Sequence, residues 1–237
     1  EGIPFGSKDI FNTRDFSTNM GSSIYKNFTP GNNARVIDNL IDLGAQLIGK
    51  TVTSEFAVHK LNKTLNPHNQ KKTPGTSSSG SAVAVATGMV PFALATQTAG
   101  SIIRPASFCG VWGMKPTFGL IPRTGVLKTT DTLDTVGFFS SNLFNLREIL
   151  DAVRVKGLNY PFVYKNIEKK NNLIRKKEKK WRVGFVKTHT WTENKSYVKE
   201  SIKKLCTDIS NDKDFIIEEV KWPKQFEETH NIHSVIY

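Results

Sequence analysis

A chain of 237 residues that is 38% hydrophobic, 10% aromatic and 23% charged can bury a core as one large domain or two small ones, which excludes a fibre, a collagen or a largely disordered chain. Its two cysteines, Cys109 and Cys206, lie far apart and match no metal spacing, so a disulfide scaffold is excluded and a reducing cytoplasm is the expected compartment. The formal charge is +12, yet twelve basic and two acidic residues between Arg154 and Lys187 carry almost all of it, which weakens a nucleic-acid reading of the whole chain. The first residues, EGIPFGSKDIFNTRD, carry no signal or transit pattern. The chain opens without methionine and stops at HSVIY within an apolar pattern, so a fragment of a longer protein is expected.

In chain order, Asn33 to Leu43 places Ala34, Val36, Ile37, Leu40 and Leu43 at helical spacing, with Gly44 as the stop and AQLIGKT as a short buried strand. From Thr73 to Ile103 no residue is charged, which invites a membrane span. Gly75, Gly80, Gly88, Pro91 and the intervening serines break that run into pieces that would strand polar backbone in lipid, so it reads instead as the buried centre of a globular domain. Within it, Ser81 to Met89 is a small-residue helix and Pro91 to Thr96 the next buried strand. Gly110 to Gly125 is turn-rich. Leu143 to Val155 suits an amphipathic helix, Trp181 to Lys187 a strand and Tyr197 to Ile209 another helix. The basic stretch YKNIEKKNNLIRKKEKKWR has no periodicity and reads as a solvated loop. The whole predicts an α/β fold, a mixed central β-sheet with helices on both faces. The expected organisation is a single domain fragment over 1–237, with a catalytic core at 1–140, a basic loop or linker at 155–181 and the start of a second half at 182–237.

The densest chemical signal is PGTSSSGSA at 74–82 followed by QTAGSIIRP at 97–105. Serines between glycines occupy turns where a side chain can be exposed and backbone N–H groups can converge, as a nucleophile and an oxyanion hole require. Such clusters are by themselves more often plain turns. A phosphate-binding loop is a rival, but G-x-x-x-x-G-K-[ST] is absent. A serine needs a base, and the histidines are badly placed: His59 and His68 in a polar loop, His189 near the basic segment, His230 and His233 close to the end of the sequence. The His230/His233 spacing could hold a metal on a helix, but no third ligand is evident, so no metal is expected. The other base that activates serine is a lysine made neutral by burial. Lys8 in GIPFGSKDI follows an apolar extended stretch, as a side chain pointing inward from a strand end would, although a lone lysine is usually exposed.

Taken together, GIPFGSKD, GAQLIGKTVTSEFA, GTSSSGSAVAVATGMVPFALATQTAGSIIRPASFCGVWGMKPTFGLIPRTGV and LDTVGFF strongly resemble the amidase signature family over about residues 1 to 140, and the remainder does so only loosely. That resemblance implies hydrolysis of a carboxylic amide by a Ser-cisSer-Lys triad. Carried over by motif, Lys8 is the base, Ser77 the bridging serine held by a cis peptide bond, and Ser101 the nucleophile. The backbone N–H groups of Thr98, Ala99, Gly100 and Ser101 would form the oxyanion hole. Lys50, in IGKT, falls on the wrong motif and is expected to be structural or solvent-facing.

Many members, including the A-type component of the glutamine-dependent tRNA transamidase, read D-T-G-G-S-I-R at the nucleophile. This chain reads Gln97-Thr98-Ala99-Gly100-Ser101-Ile102-Ile103-Arg104, which resembles malonamidase-type and other stand-alone amidases more closely. Arg104 could clamp a substrate carboxylate, or could tie the Pro105 loop to a neighbouring element. Cys109 is expected to be a packed small hydrophobe. The resemblance implies no cofactor. The expected partners are a small-molecule amide and a second copy in a homodimer, with neither membrane nor nucleic acid. The A-type transamidase component is the alternative, since the basic loop could touch tRNA, and a basic nucleic-acid-binding module would leave the serine motifs unexplained.

Overall fold

The computed structural model describes residues 2–58, 60–157 and 180–237; most of the basic loop expected at 155–181, and His59, lie outside the described residues. Packing divides the chain into two compact units, Glu1–Tyr164 and Lys165–Tyr237. In the first unit the elements are β1 (Pro4–Lys8), α1 (Arg35–Asp42), β2 (Gln46–Thr51), α2 (Ser79–Ala86), β3 (Phe92–Gln97), α3 (Ile103–Cys109), β4 (Trp112–Met114), β5 (Thr135–Ser140) and α4 (Asn145–Val153). The strands form one mixed sheet in the order β2-β1-β3-β5-β4, with β1 parallel to β2 and β3, and β5 antiparallel to β3 and β4.

The central strands β3 and β5 are buried along their whole length, so both faces of the sheet must be covered. Strand alternation sorts their side chains into two unlike layers. Phe92 and Leu94 of β3, Val136 and Phe138 of β5 and Phe5 of β1 enter one core, closed by Val36, Ile37 and Leu40 of α1 and by Leu146 and Val153 of α4. There Phe5 stacks on Phe92 with ring centroids 5.3 Å apart. The opposite layer is built from small residues. Ala93 and Ala95 of β3 pack with Phe139 of β5 against Ala82 and Val85 of α2 and against Ala106 and Cys109 of α3. The expected mixed sheet with helices on both faces is what the chain forms.

Close approach on this second face depends on Gly137. A Cβ built there would lie 2.1 Å from the Met114 carbonyl oxygen of β4 and 2.7 Å from Ile102 Cδ1. Because the first obstacle is backbone, it cannot turn aside. Gly137→Ala should therefore destabilise the protein by about 3 kcal/mol, at the upper end of overpacking costs, and urea denaturation of the two proteins would register it as a lower midpoint with an unchanged slope.

Helical periodicity locates α1, α2 and α4 within a few residues, and Gly44, with φ +89°, ends α1 as expected. The turn-rich segment 110–125 also contains the short strand β4. The uncharged run 73–103 becomes a loop, α2, β3 and a second loop. Among the described residues no helix is long and apolar enough to cross a membrane.

The second unit holds β6 (Trp181–Val186), α5 (Ser196–Ser210), β7 (Phe215–Val220) and α6 (Thr229–Ile236). β6 and β7 pair in parallel around the α5 crossover. His189 Nε2 and His230 Nδ1 lie 3.2 Å apart here, and no cluster of three metal-binding side chains occurs among the described residues.

Candidate active site

Lys8 is the last residue of β1, a strand flanked on both sides by β2 and β3, and this position leaves its side chain no route to solvent. Its Nζ donates to Ser77 Oγ at 2.8 Å and to Thr96 Oγ1, near the end of β3, at 2.9 Å. Burial drives its pKa down from 10.5 to about 7, while the charge of Asp134 pulls it back upward. A lysine in this state is partly neutral near physiological pH and has a lone pair to offer.

Ser77 sits in the loop that opens α2, and the Thr76–Ser77 peptide bond is cis. Arg104 Nη2 donates to the Thr76 carbonyl oxygen of that same bond at 2.9 Å and to Thr76 Oγ1 at 3.3 Å. On the other side the Ser77 carbonyl oxygen accepts from Ser54 N–H and Thr53 Oγ1, both at 3.3 Å. Gly75 enters the loop at φ +85°, and a Cβ there would meet the Pro105 backbone at 2.9 Å. The Nη2 bonds tie Arg104 to a neighbouring loop, while its Nε is buried without a hydrogen-bond partner among the described residues.

Ser101 lies on the loop between β3 and α3, half-buried, and lines a cleft together with Ser77, Thr96, Thr98 and Asp134. Gln97 fixes this loop at three points. Its Oε1 accepts from Ile102 N–H at 2.8 Å and Ile103 N–H at 2.9 Å, and its Nε2 donates to the Ala99 carbonyl oxygen at 3.0 Å. The Ala99 carbonyl is thereby turned toward Gln97. Among the described residues the N–H groups of Ala99, Gly100 and Ser101 donate to no backbone or side-chain acceptor. Asp134 anchors the other end: it accepts from Thr98 Oγ1 at 2.5 Å, from the hydroxyls of Thr129 and Thr130, and from the backbone N–H of both. Burial acts to raise its carboxyl, and these donated bonds more than reverse it, holding the group below the ordinary carboxylate range.

The structure thus places Ser77 and Ser101 on one cleft, with Lys8 buried behind its wall and bonded to Ser77 and Thr96, and Thr98, Ala99 and Gly100 on the loop that carries Ser101. Sequence reasoning does not single out Thr96, Gln97 or Asp134. Gln97 and Asp134 stand inside the motifs QTAGS and LDTVGFF, but nothing in those strings shows what their side chains hold. Lys50 stays out of the cleft. It pairs with Asp9 at 3.3 Å and donates to the Phe11 carbonyl oxygen and to Thr13 and Thr18, so of its two expected placements the structural one holds. His68 bonds the Cys109 carbonyl oxygen at 2.8 Å. The Cys109 thiol, pushed up to about 11 by burial, is packed and inert.

Fold and site together define an α/β protein in which the ends of parallel strands present a buried lysine, a hydroxyl bonded to it and a second serine on a braced loop. The chain belongs to the Amidase family, which matches residues 1–237. It is 42% identical over 158 residues to the A-type subunit of glutamyl-tRNA(Gln) amidotransferase from Natranaerobius thermophilus, covering 64% of this chain and 32% of that protein. Its fold is similar to the corresponding amidotransferase component from Thermotoga maritima, with TM-score 0.83 and 27% identity over 99% of this chain and 53% of that one. The peptide amidase of Stenotrophomonas maltophilia is likewise similar, with TM-score 0.81 and 26% identity over 99% and 50%. The chain spans about half the length of these solved relatives.

Proposed function

We propose that the protein is an amidase that hydrolyses a small carboxylic amide to carboxylate and ammonia or an amine through an acyl-serine intermediate on Ser101. The observation that carries this reading is the fully buried Lys8 Nζ, lowered to about 7 and 2.8 Å from Ser77 Oγ. Neutral Nζ has two N–H bonds and one lone pair. With one N–H given to Thr96, the lone pair is free to accept the Ser77 proton, and Ser77 in turn takes the proton of Ser101 as its oxygen attacks the amide carbon. The N–H groups of Ala99, Gly100 and Ser101, with Thr98 at the loop's start, receive the oxyanion. The proton returns along the same relay to the leaving nitrogen, the C–N bond breaks, and water repeats the sequence to free the acid. Every proton in this cycle passes between Lys8, Ser77, Ser101, substrate and water. Arg104 we assign to bracing the Thr76 carbonyl, which holds Ser77 in place. Residues 1–140 supply this machinery, with 182–237 opening a second half beyond the basic loop.

A second reading draws on the A-type amidotransferase relatives at 42% identity. In it the same acyl chemistry takes glutamine as ammonia donor within a larger assembly. Ammonia release by the full-length protein from a panel containing malonamate, succinamate, simple amides and glutamine tests both. Turnover of a small amide supports the stand-alone enzyme, and turnover of glutamine alone supports the amidotransferase component. A folded protein releasing no ammonia from any of them overturns the amidase proposal.

A further inference from the structure

The cleft that contains Ser77 and Ser101 is also lined by two cations that the hydrolytic cycle leaves unused, Arg123 and Lys128. Lys128 is largely exposed and lies 3.9 Å from Asp131, an arrangement solvent screens. Arg123 is different. It is half-buried, its Cζ stands 4.6 Å from the Phe118 ring centroid, and its Nη1 donates a long bond of 3.4 Å to the Thr130 carbonyl oxygen. Its backbone is fixed as well, since its carbonyl oxygen accepts from Val126 N–H and Leu127 N–H donates to Ile10 next to the active lysine's strand.

Among the described residues no carboxylate lies within ion-pair distance of Arg123. The one carboxylate on the same wall, Asp134, is occupied by five donated hydrogen bonds from Thr98, Thr129 and Thr130. The other arginine nearby, Arg104, gives its Nη2 to Thr76, and its Nε is buried without a hydrogen-bond partner among the described residues. A half-buried guanidinium with a stacked face, a fixed stem and no protein counter-ion presents a fork suited to a planar oxyanion.

We propose that Arg123 receives a carboxylate carried by the substrate, so that the enzyme acts on amides bearing a free acid group, such as monoamides of short dicarboxylic acids. This rests on the amidase reading and names the class of amide. The anion does two things there: it neutralises Arg123, and it holds the scissile carbonyl near Ser101 at a fixed reach from the guanidinium.

The test compares succinamate with its neutral isostere succinamide on the full-length protein. The wild type should favour succinamate. Arg123→Gln should lower the ratio of the two kcat/KM values by about 10- to 100-fold, the range expected on losing a charge-assisted hydrogen bond. Arg123→Lys keeps the charge without the fork, so it should lose less of the preference, and near-UV circular dichroism checks that both variants fold. Binding supplies a readout independent of turnover: calorimetry of succinamate with Ser101→Ala should show an affinity that the added Arg123→Gln change weakens about tenfold or more. A succinamate preference that Arg123→Gln and Arg123→Lys both leave intact, with unchanged binding, overturns the proposal while amide hydrolysis stands. Arg123-dependent binding without turnover of any amide upholds the anion site and overturns the hydrolase reading. Absence of both overturns both.

Discussion

Ser101→Ala should leave a folded protein whose amide turnover is lower by roughly 10⁴- to 10⁶-fold, the scale on which nucleophile removal acts in serine hydrolases. The fold should tolerate the change because Ser101 Oγ makes no hydrogen bond among the described residues, and the loop around it is held by the Gln97 side chain through Ile102, Ile103 and Ala99. Stability should move by no more than about 0.5 kcal/mol, as for substitutions that break no contact. Initial rates of ammonia release beside a thermal melt measure both. A variant keeping more than about one hundredth of the wild-type rate removes Ser101 from the role given to it.

Lys8→Met should separate activity from stability in opposite directions. Methionine fills nearly the same volume without a base, so the proton relay has no end and kcat/KM should fall by about 10² to 10⁴. In the wild type the base must be neutral to work, so activity should rise with pH through about 7 and level above it. The stability effect has its own sign. Lys8 titrates near 10.5 when unfolded and near 7 when folded, so between those values the unfolded chain binds more protons and stability increases with pH. Across that window the gain is on the order of 5 kcal/mol, and below about 7 its absence is felt in full. Lys8→Met removes this pH slope, while the hydroxyls of Ser77 and Thr96, deprived of their partner, return part of the gain. Urea denaturation at pH 6 and pH 9 decides the matter: the wild type should be markedly more stable at the higher pH, and the variant should show little of that difference. Equal pH dependence in the two proteins would mean that Lys8 is not the perturbed group.

Where one face of an element meets the core and the other meets solvent, the sequence pattern is enough to find it. Thus α1 and α4 show apolar residues at helical spacing, β2 follows the Gly44 stop of α1, and β6 alternates along WRVGFVK. β5 and α3 are not legible, for physical reasons. β5 is buried on both faces, so TVGFFS has no alternation, and its glycine reads as a turn until the Met114 carbonyl is seen against it. In α3, Pro105 stands in the first turn, where it costs no hydrogen bond but masks the pattern. The placement of Lys8, Ser77 and Ser101 comes from the resemblance and could not come from spacing, because the three lie on a strand end and two loops brought together only by the sheet. Gln97, Thr96, Asp134 and Arg123 need the structure, since an amide, a hydroxyl, a carboxylate or a guanidinium announces its role only through its partners.

The two unlike layers of the sheet also divide the chain into positions that can and cannot drift. On the phenylalanine side, α1 and α4 can be repacked by volume-conserving exchanges far from the serines, and such changes should tune melting temperature alone. On the alanine side, α2 and α3 each begin shortly after one of the two serines, so Ala93 and Ala95 act as spacers that set how far apart those serine-bearing loops stand. A library enlarging those two alanines would sample catalytic geometry itself, and its survivors would be those in which α2 and α3 shift together.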